Sequence, residues 1–184
     1  IYAESSDWRT VREQIEQNND YQQKKSNSIA KMFREISGRL KTLSVSQLQL
    51  LVTGSDIQRR QILFLAICKF YPFIKEFTIR VLRDKLLQFD NAVAEADFLR
   101  FWDNRSEDHP QLEDITDTTK QKLKQVLFRM LREAGLVDND SDLITSVFLD
   151  DKVIQLIVEE EPRYLACFLM PDADMHALIA RYSR

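Results

Sequence analysis

The sequence predicts a mainly α-helical protein. The expected architecture is a compact multi-helix bundle of two small helical subdomains, a basic one over residues 1–90 and a helix-turn-helix-like one over 91–184 with at most a short β element. Three observations predict it. The 184 residues include only three glycines and four prolines, and a sheet-rich fold needs more turns than these can make. Apolar residues recur at i, i+3 and i+4 through most of the chain. An apolar content of 44% with 10% aromatics fills a core, which excludes a disordered chain.

The first helix is read over residues 6–18, capped by Ser6 or Asp7, with Trp8, Val11 and Ile15 facing inward. A second spans 21–41, where Ile29, Met32, Phe33, Ile36 and Leu40 form an apolar stripe. At 100° per residue, Lys24, Asn27, Lys31, Arg34, Gly38 and Lys41 form a stripe almost opposite. Glu35 is the one acid in this helix able to make i,i+4 pairs. A short helix follows within "SVSQLQLLVTGS", capped by Ser44 or Ser46 and closed by Gly54. "DIQRRQILFLAICKFY" takes Asp56 as N-cap, and its centre is apolar all round, as a buried helix requires. Arg59 and Arg60 stand in its first turn, against the helix dipole unless an anion lies nearby. Pro72 opens the next helix, which runs to Phe89.

Residues 90–96 read as a linker or hinge. "EADFLRFWDNRSED" is a helix with Phe98, Phe101 and Trp102 facing in, and "HPQLEDITDTT" is a loop turning at Pro110. Thr116 or Asp117 caps the following helix, "KQKLKQVLFRMLREAGLV", whose apolar face is Leu123, Val126, Leu127, Met130, Leu131 and Ala134, and Gly135 ends it. Leu143 to Leu149 is β-branched and reads as a short strand or extended piece. "DDKVIQLIVEEE" returns to helical periodicity, "PRYLACFLM" fits strand or helix, and "DADMHALIARYS" is a terminal helix. Cys68 and Cys167 lie in apolar runs and read as buried reduced thiols rather than a disulfide, as in a cytosolic protein. The longest apolar run, "ILFLAIC", is too short to span a bilayer, no signal peptide is visible, and a cytoplasmic location is expected. The chain starts at Ile1 rather than Met, so further N-terminal residues are expected before it.

Charge is unevenly placed. Residues 1–90 hold 15 Lys and Arg against 10 Asp and Glu, a net of +5, whereas 91–184 hold 11 against 19, a net of −8. Between Lys24 and Lys85 there are 13 basic residues and four acids. A basic stretch in a chain of pI 5.5 is a candidate electrostatic footprint for nucleic acid, with an ordinary solvated helix face as the alternative reading. The helix from Lys120 adds Lys122, Lys124, Arg129 and Arg132 against one acid, Glu133.

Enzyme signatures are missing. Neither GxxxxGK[ST] nor GxGxxG occurs, there is no HExxH, and no Cys or His pair has metal spacing. His109 and His176 have no partner nearby in sequence and read as surface or loop histidines. Asp138, Asp140 and Asp142 lack the glycine and closing glutamate of a calcium loop and read as a solvated turn. No catalytic residue, metal or cofactor is therefore expected.

"KKSNSIAKMFREISGRLKTLS", "RRQILFLAICKFYPFIKEFTIRVLRDKLL" and above all "KQKLKQVLFRMLREAGLV" resemble the BrxA family of bacterial BREX phage-defence systems. The resemblance runs from about Asp7 to Phe168, and Lys122 to Leu136 is its most specific part. It implies a small helical cytoplasmic protein similar in fold to the NusB antitermination protein, a DNA-binding role, and other BREX proteins as partners. No catalytic motif goes with the family.

Charge and helix geometry alone select the nucleic-acid-binding candidates: Lys24, Lys31, Arg34, Lys41, Arg59, Arg60, Lys120, Lys124, Arg129 and Arg132. In the helix-turn-helix reading, Gln121, Lys124, Gln125, Phe128 and Arg132 face outward on the last helix, with neighbouring-helix packing as the alternative for Phe128. Two functions follow. One is contact with duplex DNA through phosphates with little sequence reading, RNA being a variant. The other is an assembly adaptor whose basic face meets acidic surfaces of other defence proteins. One continuous basic band favours nucleic acid, and scattered patches favour the adaptor.

Overall fold

A computed structural model describes residues 7–18 and 26–182 of the chain. Among these residues it has ten α-helices and no strand. Helix α1 (Trp8–Asn18) starts at Asp7, whose carboxylate accepts the backbone N–H groups of Arg9 at 3.0 Å and Thr10 at 3.1 Å. Val11 and Ile15 bury against Ile29 and Phe33 of α2 (Ser26–Leu40), a small cluster apart from the main core. Helix α2 lies at Gly38 on the helix that ends at Phe70, where a Cβ would stand 2.8 Å from the Phe70 ring, so glycine sets how closely the two helices approach. The expected start of this helix, including Lys24, lies outside the described residues.

Helices α3 (Val45–Thr53) and α4 (Asp56–Phe70) open in the same way. Ser44 and Ser55 each accept the backbone N–H three residues on, and Gln47 and Gln58 reach back to the cap N–H. The N-cap of α4 is thus Ser55, not the expected Asp56, because the serine and glutamine satisfy two donors reciprocally. Ile62, Phe64, Leu65, Ala66 and Cys68 make α4 the buried helix that its composition predicts.

Helix α5 (Pro72–Phe77) continues through a π-helical turn, Thr78–Arg83, into α6 (Asp84–Leu87). The Thr78 hydroxyl donates to the Ile74 carbonyl at 2.8 Å. Residues 90–96 do not hang free. Ala92 bridges Leu143, the Val93 N–H donates to the Asp142 carbonyl at 3.1 Å, and Val93 is buried. The segment from Leu143 to Leu149 is extended, with single bridges at Leu143 and Ile144.

Helix α7 (Glu95–Asp108) buries Phe98, Phe101 and Trp102 edge-on against Phe73 and Phe77. Helix α8 (Asp117–Glu133) is capped by Thr116 and ends before Gly135, whose φ of +77° is the left-handed conformation glycine tolerates. Helix α9 (Asp151–Glu160) is capped by Asp150. The ambiguous "PRYLACFLM" is a 3₁₀ stretch, Pro162–Phe168, followed by α10 (Asp172–Tyr182). Buried residues from Leu43 to Leu169 make one continuous core. Cys68 and Cys167 are free and fully buried in it. No helix among the described residues is long and apolar enough to cross a membrane.

Candidate nucleic-acid interface

Lys31, Arg34 and Lys41 of the α2 stripe line one cleft of about 460 Å³, closed on the other side by Arg12 of α1. Lys31 and Arg34 are exposed and have no ion-pair partner among the described residues. Lys41 stands 5.5 Å over the Trp8 ring, and Arg12 bonds Glu16 at 2.8 Å. Among the described residues no carboxylate lines the cleft. Glu35, which the sequence offers to Lys31 and Arg39 at i±4, lies on the Arg39 side. It accepts from the Tyr71 hydroxyl at 2.7 Å and faces Arg39 at 3.8 Å. Burial, and then that bond to Glu35, raise the Tyr71 phenol above its ordinary value. Arg12 is the site residue that sequence reasoning missed. It stands one turn after Trp8, on the edge of the inward face of α1, and that spacing was the available signal.

Helix α8 corrects two expectations. Leu127, Phe128 and Leu131 are buried, while Leu123 is 43% exposed and Val126, Met130 and Ala134 are half-buried. The inner face is turned by roughly 80° from the one that apolar periodicity marks. Burying an aromatic ring outweighs burying the smaller Val126 or Ala134, and Phe128 packs on Phe77 at 6.1 Å. The turn also carries the lysine stems inward, and their charges find acids on other elements. Lys120 lies 3.3 Å from Asp103 and 5.2 Å over the Trp102 ring. Lys124 bonds Glu95, and Arg132 bonds Asp142. Gln121 also donates to Glu95, at 3.4 Å. The expectation that Lys124 and Arg132 face outward without acids nearby is therefore overturned, while Phe128 takes the other reading the sequence left open, packing against a neighbouring helix. The bond from Lys124, and then that from Gln121, hold the Glu95 carboxyl below its ordinary range.

The remaining candidates fall elsewhere. Arg59 is paired with Asp56 at 3.1 Å and donates to the Val52 carbonyl at 3.2 Å, which supplies the anionic partner its place at a helix start requires. Arg60 is exposed at a groove shared with Met130 and Glu133. Arg129 is exposed and has no ion pair among the described residues. The α2 cleft and the α8 face have no lining residue in common. No cluster of His, Cys, Asp and Glu among the described residues could hold a metal ion.

A family model described as BrxA matches residues 1–161. The chain belongs to the BrxA family. A curated relative, "BREX protein BrxA" from Escherichia coli O9:H4 (strain HS), is 32% identical over 132 residues, which is 72% of this chain and 62% of the relative. The chain thus spans less than two thirds of that BrxA's length. The fold is shared with the crystal structure of an uncharacterized protein from Magnetospirillum magneticum, at a TM-score of 0.75 and 22% identity over 87% of this chain and 82% of that one. At that identity the likeness speaks for the fold alone.

Proposed function

We propose that this BrxA-family protein is a non-enzymatic, cytoplasmic DNA-binding component of BREX phage defence, which holds duplex DNA through its phosphates with little sequence reading. The observation that carries the reading is the α2 cleft. Four cations on α1, α2 and the turn after α2 surround it; among the described residues only Arg12 has an acid in ion-pair contact, and no carboxylate lines the cleft. Like charges left together repel, and a phosphate backbone relieves that repulsion while releasing counterions. Among the described residues the cleft has no glutamine or asparagine in its lining, which fits phosphate contact rather than base reading. Membership of the family and the name of the Escherichia coli relative support the place in BREX defence.

The test is retardation of duplex DNA by the protein and by the Lys31→Glu, Arg34→Glu double variant at matched salt. Both positions are exposed, so the variant keeps its fold and melting temperature. It loses affinity for every duplex tested. Equal binding by parent and variant would reject the cleft as the interface. A second reading, an assembly adaptor for other BREX proteins, is favoured by one observation: the candidate cations fall in separate places instead of one band. RNA is the arm of the same experiment that separates a NusB-like role from a DNA role.

A further inference from the structure

Three helices each leave an apolar edge partly exposed, and the three edges meet. Helix α4 forms the floor of a groove of about 350 Å³ with Leu63 and Ile67, α2 forms one wall with Ile36 and Leu40, and α8 forms the other with Met130 and Ala134. Leu63 is 46% exposed and the rest are half-buried. The turn of α8 produces its wall. Burying Phe128 and Leu131 leaves Leu123 exposed and Val126, Met130 and Ala134 half-buried along one edge. From Arg60 to Ile67 the floor runs ~10 Å, which is about two helical turns. Apolar surface gathered between two helix walls is the shape that accepts the apolar face of a third helix.

The rim charges define that helix. Arg60 on the floor helix and Glu133 on the α8 wall both line the groove and have no ion-pair partner among the described residues. They do not pair with each other. Arg39, held by Glu35 and Tyr71, adds positive charge on the α2 side. We propose that the groove docks an amphipathic helix of another protein, with an apolar face at i, i+3, i+4 and i+7, acids along the flank over Arg39 and Arg60, and a base opposite Glu133. Duplex DNA offers no apolar face to such a groove, so this surface and the cationic cleft on the other side of α2 serve different partners.

The probe is a fluorescein-labelled peptide of about four helical turns, with leucines at that spacing, glutamates on one flank and lysines on the other. Its control is the same composition scrambled so that leucines ring the helix. Anisotropy is read on the full chain. The patterned peptide binds saturably and the scrambled one does not. Leu63→Glu abolishes binding and leaves DNA retardation unchanged. Arg60→Glu, at an exposed position that does not threaten the fold, weakens binding by about tenfold, and exchanging the peptide's glutamates for lysines restores it. Equal binding of both peptides, or binding indifferent to Leu63→Glu and Arg60→Glu, overturns the proposal. So does a concentration-dependent dimer that Leu63→Glu dissolves, because a second copy of the chain would then fill the groove.

Discussion

At the scale of single residues, Glu95 and Lys124 explain why a basic helix suits an acidic protein. The carboxylate of Glu95 takes a bond from Lys124 and another from Gln121, and both lower its pKa. A carboxyl depressed in the folded state adds stability above its unfolded value and loses it as pH falls through the folded one. The pair therefore outlasts the pH window in which an ordinary glutamate protonates, and breaks below it. Titration of Glu95 by NMR should give a midpoint that rises toward the ordinary range in Lys124→Ala. The same midpoint in both proteins would mean that no such bond forms. Leu127, 3% exposed, makes the opposite kind of claim. Leu127→Ala opens a cavity and should cost about 2–5 kcal/mol, measured by denaturant unfolding. A loss below about 1 kcal/mol would place Leu127 at the surface instead.

At the scale of elements, local signals were legible in the sequence and long-range pairings were not. The caps at Ser44 and Thr116, the buried centre of α4 and the inward Phe98, Phe101 and Trp102 of α7 all depend on neighbours within a few residues, and the structure has them as read. The face of α8 was misread because periodicity counts apolar residues and ignores what receives a lysine. Glu95 lies 29 residues before Lys124 and Asp103 lies 17 before Lys120, beyond any local pattern. Most of the candidate cleft was legible for the same reason: helical spacing shows Lys31, Arg34 and Lys41 together, whereas spacing on α1 puts Arg12 one turn after Trp8 but does not tell that α1 packs beside them. The α2–α4 contact is itself testable. Gly38→Val pushes a branched side chain into the Phe70 ring and should cost about 1–3 kcal/mol in unfolding. A neutral effect would show that the two helices separate freely.

At the scale of the whole molecule, a polar knot around the buried Gln47 joins the early helices to the late ones. Gln47, fully buried, donates to the Leu156 carbonyl at 3.3 Å and to Glu160 at 2.5 Å, while Lys69 bonds Gln47 at 3.0 Å and Glu160 at 2.6 Å. Gln47→Ala strips partners from buried groups and should cost about 1–3 kcal/mol, seen as a lower denaturation midpoint. Retention of the parent midpoint would mean that water replaces the amide there. The two basic surfaces differ in kind: a cleft on α2 that no carboxylate lines among the described residues, and on α8 a face whose Lys120, Lys124 and Arg132 are already paired. The most direct measurement compares the slope of log K against log[salt] for duplex DNA in the parent, in Lys31→Ala with Arg34→Ala, and in Lys120→Ala with Lys124→Ala. The account predicts that the α2 variant becomes shallower by about 0.9 unit for each phosphate it no longer neutralises, while the α8 variant keeps the parent slope. A slope reduced by the α8 changes and untouched by the α2 changes would contradict it.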